Sequence, residues 1–72
     1  MKLSYSALAD SLYIDLVDRP SVDSREIKPG VVLDFDAEDN LVGIDIDHAS
    51  KVIDLSRLEI ESLPATSVGL VA

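Results

Sequence analysis

Polar and apolar side chains alternate at every second position through most of the first 47 residues, and this alternation constrains the fold more than any other feature. Successive side chains of a β-strand point to opposite faces of a sheet, so the alternation predicts strands with one buried face. The predicted strands are Lys2–Ser6, Ser11–Val17, Val31–Asp36 and Leu41–Asp47. A fifth segment, Val22–Lys28, is more polar and predicts a weak or edge strand.

Turn-forming residues separate these segments. Ala7–Asp10 breaks the alternation, Asp18–Ser21 contains a proline that cannot donate to a ladder, and Pro29-Gly30 is a strong turn dipeptide. Ala37–Asn40 closes a hairpin in which Asn40 is the residue best suited to a positive φ.

The hairpin places the same apolar side chains together whatever its loop length. If the loop has two residues instead of four, the cross-strand pairs shift, but each side chain stays on the same face of the sheet. The four-residue loop predicts the pairs Leu33–Ile44 and Phe35–Val42.

The chain after His48 loses this pattern. Asp54 or Ser56 is suited to cap a short helix that ends before Pro64. Alternation from Leu58 to Glu61 leaves a strand as the alternative for residues 55–63, and we favour the helix. The apolar positions of this helix would be Leu55, Leu58 and Leu63.

These segments predict one α+β, mainly β domain over residues 1–72. Its antiparallel sheet has four or five strands arranged as a meander, with the short C-terminal helix packed on the apolar face. Without cysteine, a chain of 72 residues has no disulfides to supplement its small core. A two-turn helix covers only part of the apolar face, so we expect a homodimer.

The charge balance narrows the range of partners. Fourteen acidic and six basic residues give a net charge of −8, which disfavours direct contact with nucleic acid or anionic lipid. The N-terminus lacks the apolar run of a signal peptide, and no stretch approaches a membrane span. We therefore expect a cytoplasmic protein that does not enter a membrane.

The densest acidic segment coincides with the predicted hairpin. No Lys or Arg occurs between Lys28 and Lys51, and alternation places four aspartates on the face opposite the apolar one. This face is interpreted in three ways: a solvated surface, a docking surface for a basic protein, or a divalent-cation site. The candidate partner-binding residues are Tyr13, Asp15, Asp34, Asp36, Asp45 and Asp47.

No pattern of residues indicates catalysis. Ser11 and Ser50 lie outside any nucleophile-elbow pattern, and the lone histidine, His48, cannot be tied to either of them. We therefore predict no enzyme activity, no catalytic residue, no cofactor and no metal ligand set. Gly43 lies inside a strand, where a missing side chain marks a bulge or a close approach, and packing under Tyr13 is the simplest explanation.

Three ordered segments, Tyr5–Leu16, Gly30–Asp36 and Leu41–Ser50, resemble a small prokaryotic family, Domain of Unknown Function 2283. Ser6 replaces a usual Asp, Asn40 replaces a hairpin Gly, and Asp45 is shorter than the usual Glu. The resemblance implies a fold and a size, since the family has no established activity. Members resemble neighbours of small toxin-like proteins, which implies an antitoxin-like role.

Two functions follow as expectations. The first is a non-enzymatic protein-interaction module, in its specific form the antitoxin-like partner of a small basic protein. The alternative is a small divalent-metal or ligand-binding domain, or a minimal hydrolase, that uses the acidic sheet face and His48.

Overall fold

The computed structural model describes residues 1–71, so Ala72 lies outside the described residues. Five strands and one short helix follow each other along the chain. They are β1 (Lys2–Ser6), β2 (Ser11–Asp15), β3 (Asp23–Lys28), β4 (Val31–Phe35), β5 (Leu41–Asp47) and α1 (Ala49–Val52).

The strands form one antiparallel sheet in the order β1-β2-β5-β4-β3. Strands β3, β4 and β5 follow each other as neighbours, and the β1-β2 hairpin joins this unit through β5. The predicted class is confirmed: a small, mainly β antiparallel sheet with a short helix at its C-terminal end. The polar segment predicted as an edge strand is β3, at one edge of the sheet.

Cross-strand pairing collects the apolar side chains on one face. Leu12 lies between Tyr5 and Ile46, and Ile14 lies between Leu3 and Ile44. Because directly opposite residues share a face, the pairing aligns the apolar positions of successive strands. Few of these side chains are fully covered, since the buried apolar residues are Leu12, Val42 and Ala49.

The β4-β5 turn differs from the prediction in its details. Leu33 pairs with Ile44 as expected, but Phe35 pairs with Leu41 across a register shift. The positive φ belongs to Asp39, at 65°, and the prediction for Asn40 was wrong. The cause is Asp36, whose Oδ1 accepts the backbone N–H groups of residues 38 and 40 and fixes the loop locally.

The helix forms earlier in the chain than predicted. Both predictions for residues 55–63, helix and strand, were wrong, because this segment has no regular secondary structure. Asp54 accepts hydrogen bonds from the backbone N–H and hydroxyl of Ser56, a local turn that competes with a helix.

Asp10 supplies the missing cap of α1 from a distant part of the chain. The cap residue His48 has left-handed backbone, with φ of 52°, and makes no side-chain capping bond. The Ala49 N–H donates instead to the Asp10 carbonyl at 2.9 Å. The Ser50 N–H and hydroxyl donate to the Asp10 carboxylate at 3.0 and 2.7 Å, and Tyr5 Oη donates to the same carboxylate at 2.8 Å. Asp10 thus ties α1 to the β1-β2 turn.

The segment after α1 runs beside β1 and β2 and leaves a groove of about 340 Å³ on the apolar face. Side chains along the groove stay partly exposed, with Leu3 at 45% and Tyr5 at 48%. The groove is lined by Leu3, Tyr5, Leu12, Ile53, Asp54, Leu55, Arg57 and Leu58. Within residues 1–71, no helix is long and apolar enough to cross a membrane.

We predict that Asp10→Asn loosens α1. Asp10 has left-handed backbone, with φ of 50°, which Asn also tolerates. The substitution replaces one acceptor oxygen with a donor. The expected result is a lower unfolding temperature and faster amide hydrogen exchange at Ala49 and Ser50. Asp18→Asn, which changes the same charge in an exposed turn, is the matched control and should leave both unchanged.

The stability lost in Asp10→Asn should depend on pH. Hydrogen bonds from Ser50 and then Tyr5 lower the pKa of Asp10. Its stabilising contribution is therefore present above the ordinary carboxyl pKa and lost as the pH falls through the lowered value. Equal stability of the wild type and Asp10→Asn at neutral pH would contradict the capping role.

Candidate functional site: the acidic sheet face

The sheet face opposite the apolar side chains carries carboxylates from three adjacent strands. Tyr13 lies directly opposite Asp45, and both Asp15 and Asp34 pair with Gly43. Alternation along β5 adds Asp47 to this face. We call Tyr13, Asp15, Asp34, Asp45 and Asp47 the acidic face.

Tyr13 is the centre of the acidic face, and its ring crosses Gly43. A Cβ atom on Gly43 would lie 1.9 Å from Tyr13 Oη and 2.6 Å from Cζ, so no other residue fits under the ring. The hydroxyl reaches β4, where it donates to Asp34 Oδ2 at 2.8 Å. The packing suggested for Gly43 is thus the one observed.

Ser24 extends this connection to the edge of the sheet. Its hydroxyl donates to Asp34 Oδ1 at 2.6 Å, so both oxygens of Asp34 accept hydrogen bonds. Ser24 was missed by sequence reasoning, because β3 carries no alternation that fixes its register. The pairing of Ser24 with Asp34 across β3 and β4 explains the contact.

The acidic face changes the acidity of two of its members. The hydrogen bond to Asp34 raises the pKa of Tyr13 to about 12, with burial and the charges of Asp34, Asp15 and Asp45 acting in the same direction. Loss of hydration raises the pKa of Asp45, and repulsion from Asp47 and Asp34 raises it further. Ionised Asp45 is therefore held in an unfavourable environment.

Asp36 does not join the acidic face, although alternation placed it there. Strand β4 ends at Phe35, and Asp36 begins the turn. Its carboxylate accepts hydrogen bonds from the backbone N–H groups of Glu38 and Asn40, each at 2.9 Å, and lies 3.6 Å from Arg19 Nη1. The Asn40 bond is the main cause of its lowered pKa. Asp36 therefore organises the turn.

The basic residues that form ion pairs lie away from the acidic face. Arg25 pairs with Asp23 and Asp39 and covers the Phe35 ring, its guanidinium carbon 3.9 Å from the ring centroid. The other pairs are Arg19–Asp36 and Arg57–Glu59. Within residues 1–71, no salt bridge reaches any of the four carboxylates of the acidic face.

The structure shows how the possible metal ligands are placed and where the Ser50 hydroxyl and His48 lie. Residues 1–71 contain no group of three or more His, Asp or Glu side chains placed to hold a metal ion. The Ser50 hydroxyl donates directly to Asp10 in the cap of α1. His48 is the exposed cap residue of α1, and its side chain makes no capping hydrogen bond. What the acidic face offers chemically is attraction for cationic groups.

One family model, described as a protein of unknown function (DUF2283), matches residues 2–50, more than half of the chain. The chain belongs to this family. No curated protein and no solved structure matches it. The matched residues include all five strands, and they contain both the Asp10–Ser50 cap and the Tyr13–Gly43 contact. The matched segment therefore contains the contact that ties α1 to the β1-β2 turn and the contact that links β2 to β4 across Gly43.

We predict that Gly43→Ala lowers the free energy of unfolding by about 1–3 kcal/mol, the usual cost of overpacking. The new methyl group displaces the Tyr13 ring and breaks its hydrogen bond to Asp34. In a Tyr13→Ala background the same substitution should cost far less, because the ring is absent. Urea denaturation of the four proteins measures this coupling. If the losses of stability caused by Gly43→Ala and Tyr13→Ala are simply additive, the contact between the two residues is contradicted.

We also predict that Asp45→Asn stabilises the isolated protein at neutral pH. The folded-state pKa of Asp45 is raised, so the wild type loses stability as the pH rises through that value. Removing the charge removes this loss, and the gain should vanish below the ordinary carboxyl pKa.

Asp54→Asn is the matched comparison for Asp45→Asn and should act in the opposite direction. Hydrogen bonds from Ser56 lower the pKa of Asp54, so its ionised form stabilises the fold above the ordinary carboxyl pKa. Urea denaturation across the acidic pH range measures both effects. A loss of stability in Asp45→Asn at neutral pH would show that Asp45 has a structural role instead.

Proposed function

We propose that this chain is a non-enzymatic protein-interaction module whose acidic face binds a small basic protein. The observation that carries the proposal is the set of four carboxylates on one sheet face that form no ion pair within residues 1–71. A partner that supplies Lys or Arg side chains relieves their mutual repulsion and is attracted over a distance by the net charge of −8.

Tyr13 supports the same proposal. Its ring is half-buried over Gly43 and its hydroxyl is fixed by Asp34, so the side chain has already lost its rotational freedom. Rigid aromatic side chains are frequent energetic centres of interfaces because they cost little entropy on binding. Tyr13 therefore serves as the anchor and the surrounding aspartates as the charged rim.

In its specific form the proposal makes the chain the antitoxin-like member of a pair. The toxin-like neighbours implied by the family resemblance are the class of small basic protein that the acidic face fits. The proposed setting is the prokaryotic cytoplasm. The absence of enzyme activity is part of the proposal, and the use of the Ser50 hydroxyl and the Asp10 carboxylate in the cap of α1 supports it.

The test uses a Lys- and Arg-rich peptide as the probe and two variants of equal net charge. The face variant carries Asp15→Asn, Asp45→Asn and Asp47→Asn. The control carries Asp18→Asn, Glu38→Gln and Glu61→Gln at exposed positions outside the acidic face. Each variant removes three negative charges, which changes −8 to −5.

We expect the face variant to bind the peptide on the order of tenfold more weakly, and the control to bind almost as the wild type does. Amide chemical-shift changes should centre on β2 and β5, and the affinity should fall as salt rises. If both variants weaken peptide binding equally, the binding depends on net charge alone and the proposal is contradicted. Shifts confined to the apolar face would contradict the proposal.

A further inference from the structure

We propose that β1 is a homodimerisation strand, through which two copies of this chain join their sheets antiparallel about a two-fold axis at Ser4. The proposal concerns the edge of the sheet and does not depend on the binding of a basic protein to the acidic face. The occupant of the edge is a second copy of the chain.

The two edges of the sheet differ in how they are protected. Strand β3 carries charged side chains at four of its six positions, has a register shift between Glu26 and Lys28, and is followed by Pro29. These features prevent pairing with another strand. Strand β1 has the single charge of Lys2, pairs with β2 in unbroken register, and is exposed along its whole length.

The hydrogen-bond pattern identifies which backbone groups of β1 face outward. The Leu16 N–H donates to the carbonyl of Val42, its directly opposite residue, at 2.9 Å. Since bonded pairs alternate along an antiparallel ladder, the backbones of Leu12 and Ile14 also face β5. Tyr13 and its neighbours at positions 11 and 15 therefore bond to β1.

The outward-facing residues of β1 follow directly. Ser4 pairs with Tyr13, so its N–H and carbonyl bond inward to β2, as do those of residues 2 and 6. The N–H and carbonyl groups of Leu3 and Tyr5 point to the open edge. Each copy therefore offers two donors and two acceptors in a row.

These groups are complementary to themselves. An axis at Ser4 places Leu3 of one copy opposite Tyr5 of the other, and the two symmetric pairs form four backbone hydrogen bonds. The paired side chains lie on the apolar face, where Leu3 contacts the aromatic ring of the second copy. Lys2 comes opposite Ser6 of the second copy, so no like charges meet.

The charge distribution favours this edge over other surfaces for self-association. Strand β1 contains no acidic residue, whereas the acidic face on β2, β4 and β5 would repel its own copy. Two molecules with a net charge of −8 each therefore approach best along β1.

The apolar groove lies directly beside this edge and supplies the buried area that strand pairing alone lacks. Leu3 and Tyr5 belong both to β1 and to the wall of the 340 Å³ groove. Pairing brings the grooves of two copies side by side on one face of the sheet. Their partly exposed leucines then contribute apolar area to an interface that needs roughly 800 Å² per partner.

The test is a charge exchange at the axis. Ser4 faces its own copy, so Ser4→Lys and Ser4→Glu each oppose like charges in the homodimer, and an equimolar mixture opposes unlike ones. Like charges at this separation should weaken dimerisation about tenfold or more. Ser67→Lys and Ser67→Glu, at an exposed position in the C-terminal segment, are the controls.

Light scattering and sedimentation of the full chain measure the association, and circular dichroism checks that every variant folds. We expect the wild type and both controls to be dimers, each Ser4 variant to dissociate, and the mixture to recover the dimer. A monomeric wild type would overturn the proposal. A dimer that is insensitive to both Ser4 variants would place the interface elsewhere, and failure of the mixture to recover would refute the two-fold pairing.

Discussion

The carboxylate of Asp10 joins the first turn of the chain to its helix, and the arrangement of the apolar face depends on that link. A single-layer sheet of this size buries few side chains completely, here Leu12, Val42 and Ala49. Ala49 is held in place because its N–H and that of Ser50 donate to Asp10. Hydrogen bonds between distant segments thus help to fix their relative positions, which in larger domains is achieved by a deeper apolar core.

The opposite face is organised by a second hydrogen bond, and the carboxylates on this face repel one another. Tyr13 crosses Gly43 to reach Asp34, which fixes the positions of carboxylates on neighbouring strands. Asp45 lies on the same face, where loss of hydration and then repulsion from Asp47 and Asp34 raise its pKa. The face that this contact crosses therefore also concentrates negative charge. Because no salt bridge within residues 1–71 reaches these carboxylates, we propose that the acidic face binds a cationic partner.

The sequence predicted those features that depend on alternation and missed those that depend on individual side chains. Period-two patterning located the strands and placed Asp34 and Asp45 on one face, because a pleated strand allows only two directions. Asp36 was misplaced because its carboxylate captures nearby N–H groups and ends β4 one residue early. The helix was misplaced because its cap, Asp10, lies 40 residues from Ser50, beyond the reach of any local capping rule.

A sheet in a single layer leaves three kinds of surface to manage: two faces and the edges. In this chain the edge at β3 is closed by its charges and its register shift, while the edge at β1 has neither. A two-fold axis perpendicular to the sheet at β1 keeps both acidic faces on the same side of the pair. A basic partner with two cationic surfaces can then bind both acidic faces of the dimer. Once the first acidic face is bound, the second one is held nearby at a high effective concentration. The proposed dimer would thus strengthen binding at the acidic face without any added contact within each copy.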